Sequence, residues 1–190
     1  MSGPAPLAWN VAAEAFAAAR SDAGLALVRS WACALPRGAQ ILDVGCGTGA
    51  PLAEALAADG YRVHGRDAAP AMTAAFRRRL PGRPVRLGPA EGLAARPRFE
   101  GVMAIGLLFL LPPERQALAV RRMAAALRPG GRLLLSAPRQ AGWWSDLQTG
   151  RRSVSLGAPA YRRIVADAAL RLAWEETDAG GSHYYAARRP

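Results

Sequence analysis

The chain has no lysine at all: each of its 25 basic residues is an arginine, set against 14 acidic residues. Cysteine and histidine are nearly as scarce, with two of each. Cys33 and Cys46 lie far apart, which argues against a disulfide framework and points to free thiols; a metal site is equally unsupported. No metal is expected. No apolar run approaches the ~20 residues that cross a bilayer, and Met1 to Pro6 lacks the basic start and apolar core of a secretory signal. The expectation is a cytoplasmic protein with no membrane partner.

What the chain does have is apolar residues, 51% of 190, enough for one domain with a sizeable core. The formal charge of +11 raises the question of nucleic acid, because a basic stripe is the footprint of phosphate binding. The arginines do not form one stripe. Arg77-Arg78-Arg79, Arg121-Arg122, Arg151-Arg152 and Arg162-Arg163 are scattered, mostly on helix surfaces, and exclusive use of arginine in an alanine-rich chain points to a GC-rich coding bias. A small-molecule partner is expected rather than nucleic acid; the oligomeric state is left open.

Ile41 to Val44 is a short apolar run bounded by glycines, the pattern of a buried parallel strand. A glycine turn follows, and Ala50 to Ala58 has apolar residues at helical spacing, so the unit is strand, turn, helix: a backbone cradle for a nucleotide-like ligand. Two ligand classes fit it. Gly45-Cys46-Gly47-Thr48-Gly49-Ala50 satisfies the dinucleotide pattern with alanine last, and Asp67 lies about 20 residues on, where a ribose-binding acid belongs. Charge separates the two. A pyrophosphate at the helix start would be opposed by Asp43, two residues before the first glycine, whereas a ligand carrying an amine and a sulfonium would be attracted to it.

Asp43-x-Gly45-x-Gly47-x-Gly49 resembles the first motif of class I S-adenosylmethionine-dependent methyltransferases, and the resemblance extends over roughly residues 38–137; the tail Asp178 to Tyr185 looks like that of small, single-domain bacterial members. It implies a doubly wound, Rossmann-like α/β fold with a seven-stranded sheet whose last strand is antiparallel. It implies S-adenosylmethionine as cofactor, with S-adenosylhomocysteine as product. The cofactor would be held by Asp43, Gly45, Cys46, Gly47 and Gly49, by Asp67 and Ala68 after a second strand at Tyr61 to Gly65, and by Ile105 at the end of a fourth strand from Gly101. After a third strand, Val85 to Leu87, the family commonly has an aspartate where Pro89 stands. Adenine must therefore rely on backbone groups around Ala90 and Glu91, or on the Glu91 side chain. Leu127 to Ser136, with Arg128-Pro129-Gly130-Gly131 inside it, is similar to the family's turn and fifth strand.

The remaining segments are assigned to the acceptor. Residues 1–37 read as N-terminal helices, which the resemblance makes a candidate lid with Trp9 and Phe16 over the site; residues 38–190 read as the core, with a segment at 138–157 that the resemblance makes variable and substrate-binding. In that segment the spacing shows no regular element, and two adjacent tryptophans cannot both face one core, so Trp143 or Trp144 is available to a substrate, with Asp146 beside them. Phe109 follows the fourth strand. Helices are expected at Asp22 to Ala34, Pro70 to Leu80, Pro113 to Leu127 and Ala158 to Ala169, the third with Glu114 in its first turn and arginines toward its end. Leu170 to Asp178 and Ser182 to Ala187 read as an antiparallel hairpin around Gly180-Gly181. Topology would place His183, the candidate general base, and Tyr184 at the substrate opening.

The function expected is methyl transfer to a small molecule. RNA or protein methylation, or non-catalytic binding of an adenosyl ligand, are the alternatives. A ligand at a hundredfold excess over its dissociation constant stabilises the folded state by ~2.7 kcal/mol. Thermal melts should rise with S-adenosylhomocysteine and stay unchanged with NAD or NADP; the reverse would indicate a dehydrogenase.

Overall fold

The computed structural model describes residues 24–147 and 149–190. The first described helix, α1 (Leu25–Cys33), leads to β1 (Gln40–Val44), α2 (Leu52–Ala58), β2 (Arg62–Asp67), α3 (Pro70–Arg79) and β3 (Val85–Leu87). A 3₁₀ turn (Ala90–Gly92) and an irregular stretch follow, then β4 (Phe99–Ala104), a second 3₁₀ turn (Leu108–Leu110), α4 (Pro113–Ala126) and β5 (Leu127–Ser136). The chain closes with β6 (Ala141–Ser145), β7 (Arg152–Leu156), α5 (Ala158–Asp167), β8 (Arg171–Thr177) and β9 (His183–Arg188). The helix expected over residues 6–19, with Trp9 and Phe16, lies outside the described residues.

Seven strands form one sheet in the order β3-β2-β1-β4-β5-β9-β8. The pairs from β3 to β5 are parallel, and β9 is antiparallel to both β5 and β8. Because the sheet is covered on both faces, β1 reads as a continuous apolar run instead of an alternating one. Ile41 packs with Val63, Met103 and Leu134 under α1, α2 and α3, whereas Leu42 and Val44 join Val102, Leu133 and Leu135 under α4 and α5. α1 is part of that packing: Val28 and Ala32 are fully buried and Trp31 nearly so. This helix is packed into the core. Alternation places Tyr184 on the α1 side and Tyr185 on the α4 side of β9.

α4 buries Gln116, Ala119, Val120 and Met123, spaced three and four residues apart as one helix face requires. Glu114 occupies its first turn, but the last turn holds no basic residue, Arg121 and Arg122 falling short of it.

The main departure from expectation is residues 138–157. Instead of a structureless loop they form a two-stranded antiparallel ribbon, with Trp143 opposite Val154 and Trp144 opposite Ser153. A buried polar network fixes it to α4. Gln116 Nε2 donates to the carbonyls of Leu111 (3.1 Å) and Val154 (2.9 Å), Tyr161 Oη donates to Gln116 Oε1 (2.9 Å), and Leu156 N donates to Tyr161 Oη (3.2 Å). Buried polar groups left unpaired cost ~1–3 kcal/mol each. Gln116→Leu should therefore lower the urea-unfolding free energy by at least ~2 kcal/mol; a change under ~0.5 kcal/mol would mean that the network does not hold the ribbon.

Candidate functional site

The turn after β1 is tied to the end of β2 by backbone hydrogen bonds. Gly45 N and Cys46 N both donate to the Arg66 carbonyl, at 2.8 and 3.1 Å. Gly45 has φ +75°, and a Cβ there would come within 3.0 Å of Leu107, so only glycine fits without displacing that side chain. One residue beyond that carbonyl, Asp67 turns its carboxylate back to the same turn: Oδ2 accepts from Gly47 N at 2.9 Å and Oδ1 from Ala69 N at 2.8 Å. The acid is held in one orientation at the carboxyl end of a strand, on the wall of a cleft. Each carboxylate oxygen has further acceptor capacity, which two adjacent hydroxyl groups would use.

That cleft is lined by Gly45, Gly47, Asp67, Ala68, Ala90, Glu91 and Ile105, as expected from the sequence. Three other expected residues do not line it. Gly49 packs against Phe76, where a Cβ would meet the ring at 2.9 Å. Cys46 is buried beneath the turn, its Sγ donating to the Gly47 carbonyl at 3.6 Å, and burial, then Asp43, then Asp67 push its thiol far above the ordinary cysteine range. Cys46 is therefore a neutral packing group, not a nucleophile. Asp43 is only 4% exposed.

The far wall contains what sequence reasoning missed. Arg66 crosses it, its Nε donating to the Pro89 carbonyl at 2.9 Å, and Gly88 leaves room for this: a Cβ there would stand 2.6 Å from Arg66 Nη2. Met72, Leu107, Leu110 and Leu111 supply apolar surface. Glu91 Oε1 lies 3.6 Å from Arg115 Nη1, but Oε2 is buried with no hydrogen-bond partner. A buried acceptor on a residue that lines the cleft needs a donor, and an exocyclic amine would supply one. The residues present thus fit an adenosyl cofactor.

A second cleft, of about 400 Å³, shares Ile105 and Gly106 with the first. Phe109, Ser136, Pro138, His183 and Tyr184 complete it, and no arginine or carboxylate lines it. Trp144, from the ribbon, covers Phe109 with ring centroids 5.4 Å apart. Its neighbour Trp143 points out, 66% exposed, with the Arg152 guanidinium 4.8 Å over its ring. Asp146 sits at the ribbon's tip, where its Oδ1 accepts from Thr149 N (2.8 Å) and Oγ1 (2.7 Å); it lines neither cleft.

His183 borders the second cleft, as topology implied, but is only 6% exposed. Its Nδ1 is 2.8 Å from Thr177 Oγ1 and its Nε2 3.2 Å from Glu175 Oε2, so both ring nitrogens are engaged within the hairpin. Tyr184 Oη donates to Asp178 at 2.9 Å. Tyr185 meets His183 edge-on at 4.8 Å, and burial pushes its phenol up to about 12, well above a neutral-pH base.

A mixed sheet with a reversed β9 inserted between β5 and β8, a glycine turn after β1 and an acid after β2 define the class I S-adenosylmethionine-dependent methyltransferase fold. Residues 41–131 match the family model described as a methyltransferase domain. The fold is similar to that of the amino pentose methyltransferase from Micromonospora echinaspora solved with S-adenosylmethionine bound: TM-score 0.74, 22% identity, 94% of this chain and 95% of that one covered. It is also similar to that of the 1,6-didemethyltoxoflavin-N1-methyltransferase of Burkholderia thailandensis, with TM-score 0.71, 21% identity and coverage of 100% and 92%. A curated relative, the carboxy-S-adenosyl-L-methionine synthase of Chromohalobacter salexigens, is 36% identical over 108 residues, 52% of this chain. The match spans only 40% of that relative's length.

Asp67 offers the most direct check. Loss of a charge-assisted hydrogen bond costs ~1.5–3 kcal/mol, so Asp67→Ala should weaken S-adenosylhomocysteine binding by roughly ten- to a hundredfold in calorimetry. Unchanged affinity in a folded variant would reduce Asp67 to a partner for the turn and the start of α3.

Proposed function

We propose that this protein transfers the methyl group of S-adenosylmethionine to an uncharged small molecule held in the second cleft. The observation that carries the reading is the junction of the two clefts at Ile105 and Gly106, just past the end of β4, where a chamber bearing Asp67 and Glu91 meets one lined by no arginine or carboxylate. When bound, the cofactor supplies an electrophilic methyl on a sulfonium leaving group. The chain's own work is to hold and align. Asp67 takes the ribose hydroxyls, Glu91 and the backbone near Ala90 the adenine edge, and Asp43 supplies negative charge beneath the amine and sulfonium. Phe109 and Trp144 close the acceptor side and exclude water, so that acceptor and methyl meet in line.

The carboxy-S-adenosyl-L-methionine synthase among the relatives raises the question of a carboxylated donor. A carboxylate at the transfer point would find no arginine in the second cleft's lining, which favours a plain methyl group. Residues 1–37 remain the candidate lid only in the part before α1, since α1 is built into the core.

For His183 we infer a positioning role. Its two nitrogens tie β9 to Thr177 and Glu175 and keep the hairpin turn beside the second cleft. A general base contributes ~10²–10⁴ in rate. His183→Ala should therefore slow turnover by less than about tenfold, and leave the pH dependence of kcat unchanged; a loss of ~10² or more, with a shifted pH profile, would make it the base. The acceptor class is tested by incubating the protein with methyl-labelled S-adenosylmethionine and fractionated cell extract. Label is expected in small metabolites; label confined to RNA or protein would overturn the reading.

A further inference from the structure

One groove lies outside everything described so far. Residues 64 and 66 of β2 and residue 86 of β3 project from the face that α4 covers farther along the sheet. The connection from β3 to β4 contains no α-helix, and α4 packs on β4 and β5, so this corner of the face has no helix over it among the described residues. The groove holds about 410 Å³, within the range of small-ligand sites. Its floor is apolar, with Leu93 and Phe99 each 8% exposed, and its rim carries Arg66, Arg86, Arg96 and Arg98 with no carboxylate in the lining.

That charge arrangement is costly as it stands. Arg66 and Arg86 are register partners on adjacent strands, and like charges directly opposite each other destabilise a sheet. Elsewhere arginines find acids: Arg29 with Asp59, Arg79 with Glu54, Arg115 with Glu91, Arg128 with Glu100 and Arg162 with Glu175. The rim arginines appear in none of the ion pairs among the described residues. His64 lies half-buried beneath them, edge-on to Phe99 at 5.2 Å, and burial, then Arg98, Arg83 and Arg86, lower its pKa. Guanidinium groups around one groove, over an apolar floor and with no carboxylate in the lining, offer donors to several anionic oxygens at once.

We propose that this groove is a second ligand site, for a small anion carrying two or more phosphate groups. Its volume of about 410 Å³ suits a compact ligand, and the chain's other arginine runs form no continuous track for a polymer. Arg66 lines both this groove and the cofactor cleft, so the site lies against the adenosine end of the first cleft, away from the junction where the methyl acceptor is placed.

The probe is inorganic tripolyphosphate, titrated calorimetrically into the full chain at 0.15 M salt. Binding is expected, weakened at least about tenfold in R86Q/R98Q, since each change removes a charge-assisted contact from an exposed side chain. The unaltered melting temperature of that variant reports its fold; R96Q, on the connecting loop, gives an independent reading should the double variant be unstable. Proton NMR of the two histidines supplies a second readout. Saturation should raise the pKa of His64, because the anion offsets the arginine charge that lowers it, and leave His183 unmoved. Three results would overturn the proposal: no binding at millimolar tripolyphosphate, affinity unchanged in both variants, or binding of single-stranded RNA with a steep salt slope where tripolyphosphate does not bind.

Discussion

The joint between the glycine turn and the end of β2 is the constraint on which the rest of the site depends. Two amides of the turn converge on one carbonyl, that of Arg66, and the next residue, Asp67, returns its carboxylate to a third amide of the same turn. Backbone amides at such a turn must be paired or solvated. Pairing them with β2 fixes the path of the turn, orients Asp67 without help from a ligand, and sets the edge of the cleft in one stroke. Gly45 and Gly49 serve the same end: the first lets Leu107 approach from the β4 side, the second lets Phe76 approach from α3. The cradle is therefore preorganised by neighbours on both faces of the sheet.

Sheet topology then decides what this cradle faces. β1 and β4 are neighbours, and the chain leaves them for opposite sides, so a crevice opens beyond their carboxyl ends. The reversed β9 brings the hairpin turn to the same end, beside Ser136 and Pro138. The ribbon of β6 and β7, secured to α4 through Gln116 and Tyr161, brings Trp144 against Phe109. An acid-bearing chamber and one without charged side chains in its lining thus meet along a single strand end, formed from elements far apart in sequence.

Charge is distributed to match. Asp43, Asp67 and Glu91 gather on the cofactor side, the second cleft is lined by no charged side chain, and beyond the Arg66 wall the sign reverses. An adenosyl ligand bearing positive charge and an oligophosphate would be drawn to opposite sides of the same partition.

By itself the sequence determined the order of elements, the glycine turn, the acid after the second strand and the reversed closing strand. These are properties of local pattern: β1, β3 and α3 fall within a residue of where apolar residues, Gly and Pro place them, β1 because it is buried on both faces and α3 because Pro70 opens it. The ribbon at β6 and β7 was not legible. Its buried positions are Ser153 and Ser155 while Val154 is more exposed, the reverse of the usual alternation, and the contacts of Ser155 with Pro138 and of the Val154 carbonyl with Gln116 come from elsewhere in the fold. Tertiary structure alone decided that Asp43 and Cys46 sit beneath the cleft, that Asp146 is a turn residue, and that both nitrogens of His183 are engaged. It alone set Arg66 opposite Arg86. A residue's type records what it can bond, but which partner it meets depends on strand register and on elements a hundred residues away, and neither leaves a mark in local spacing.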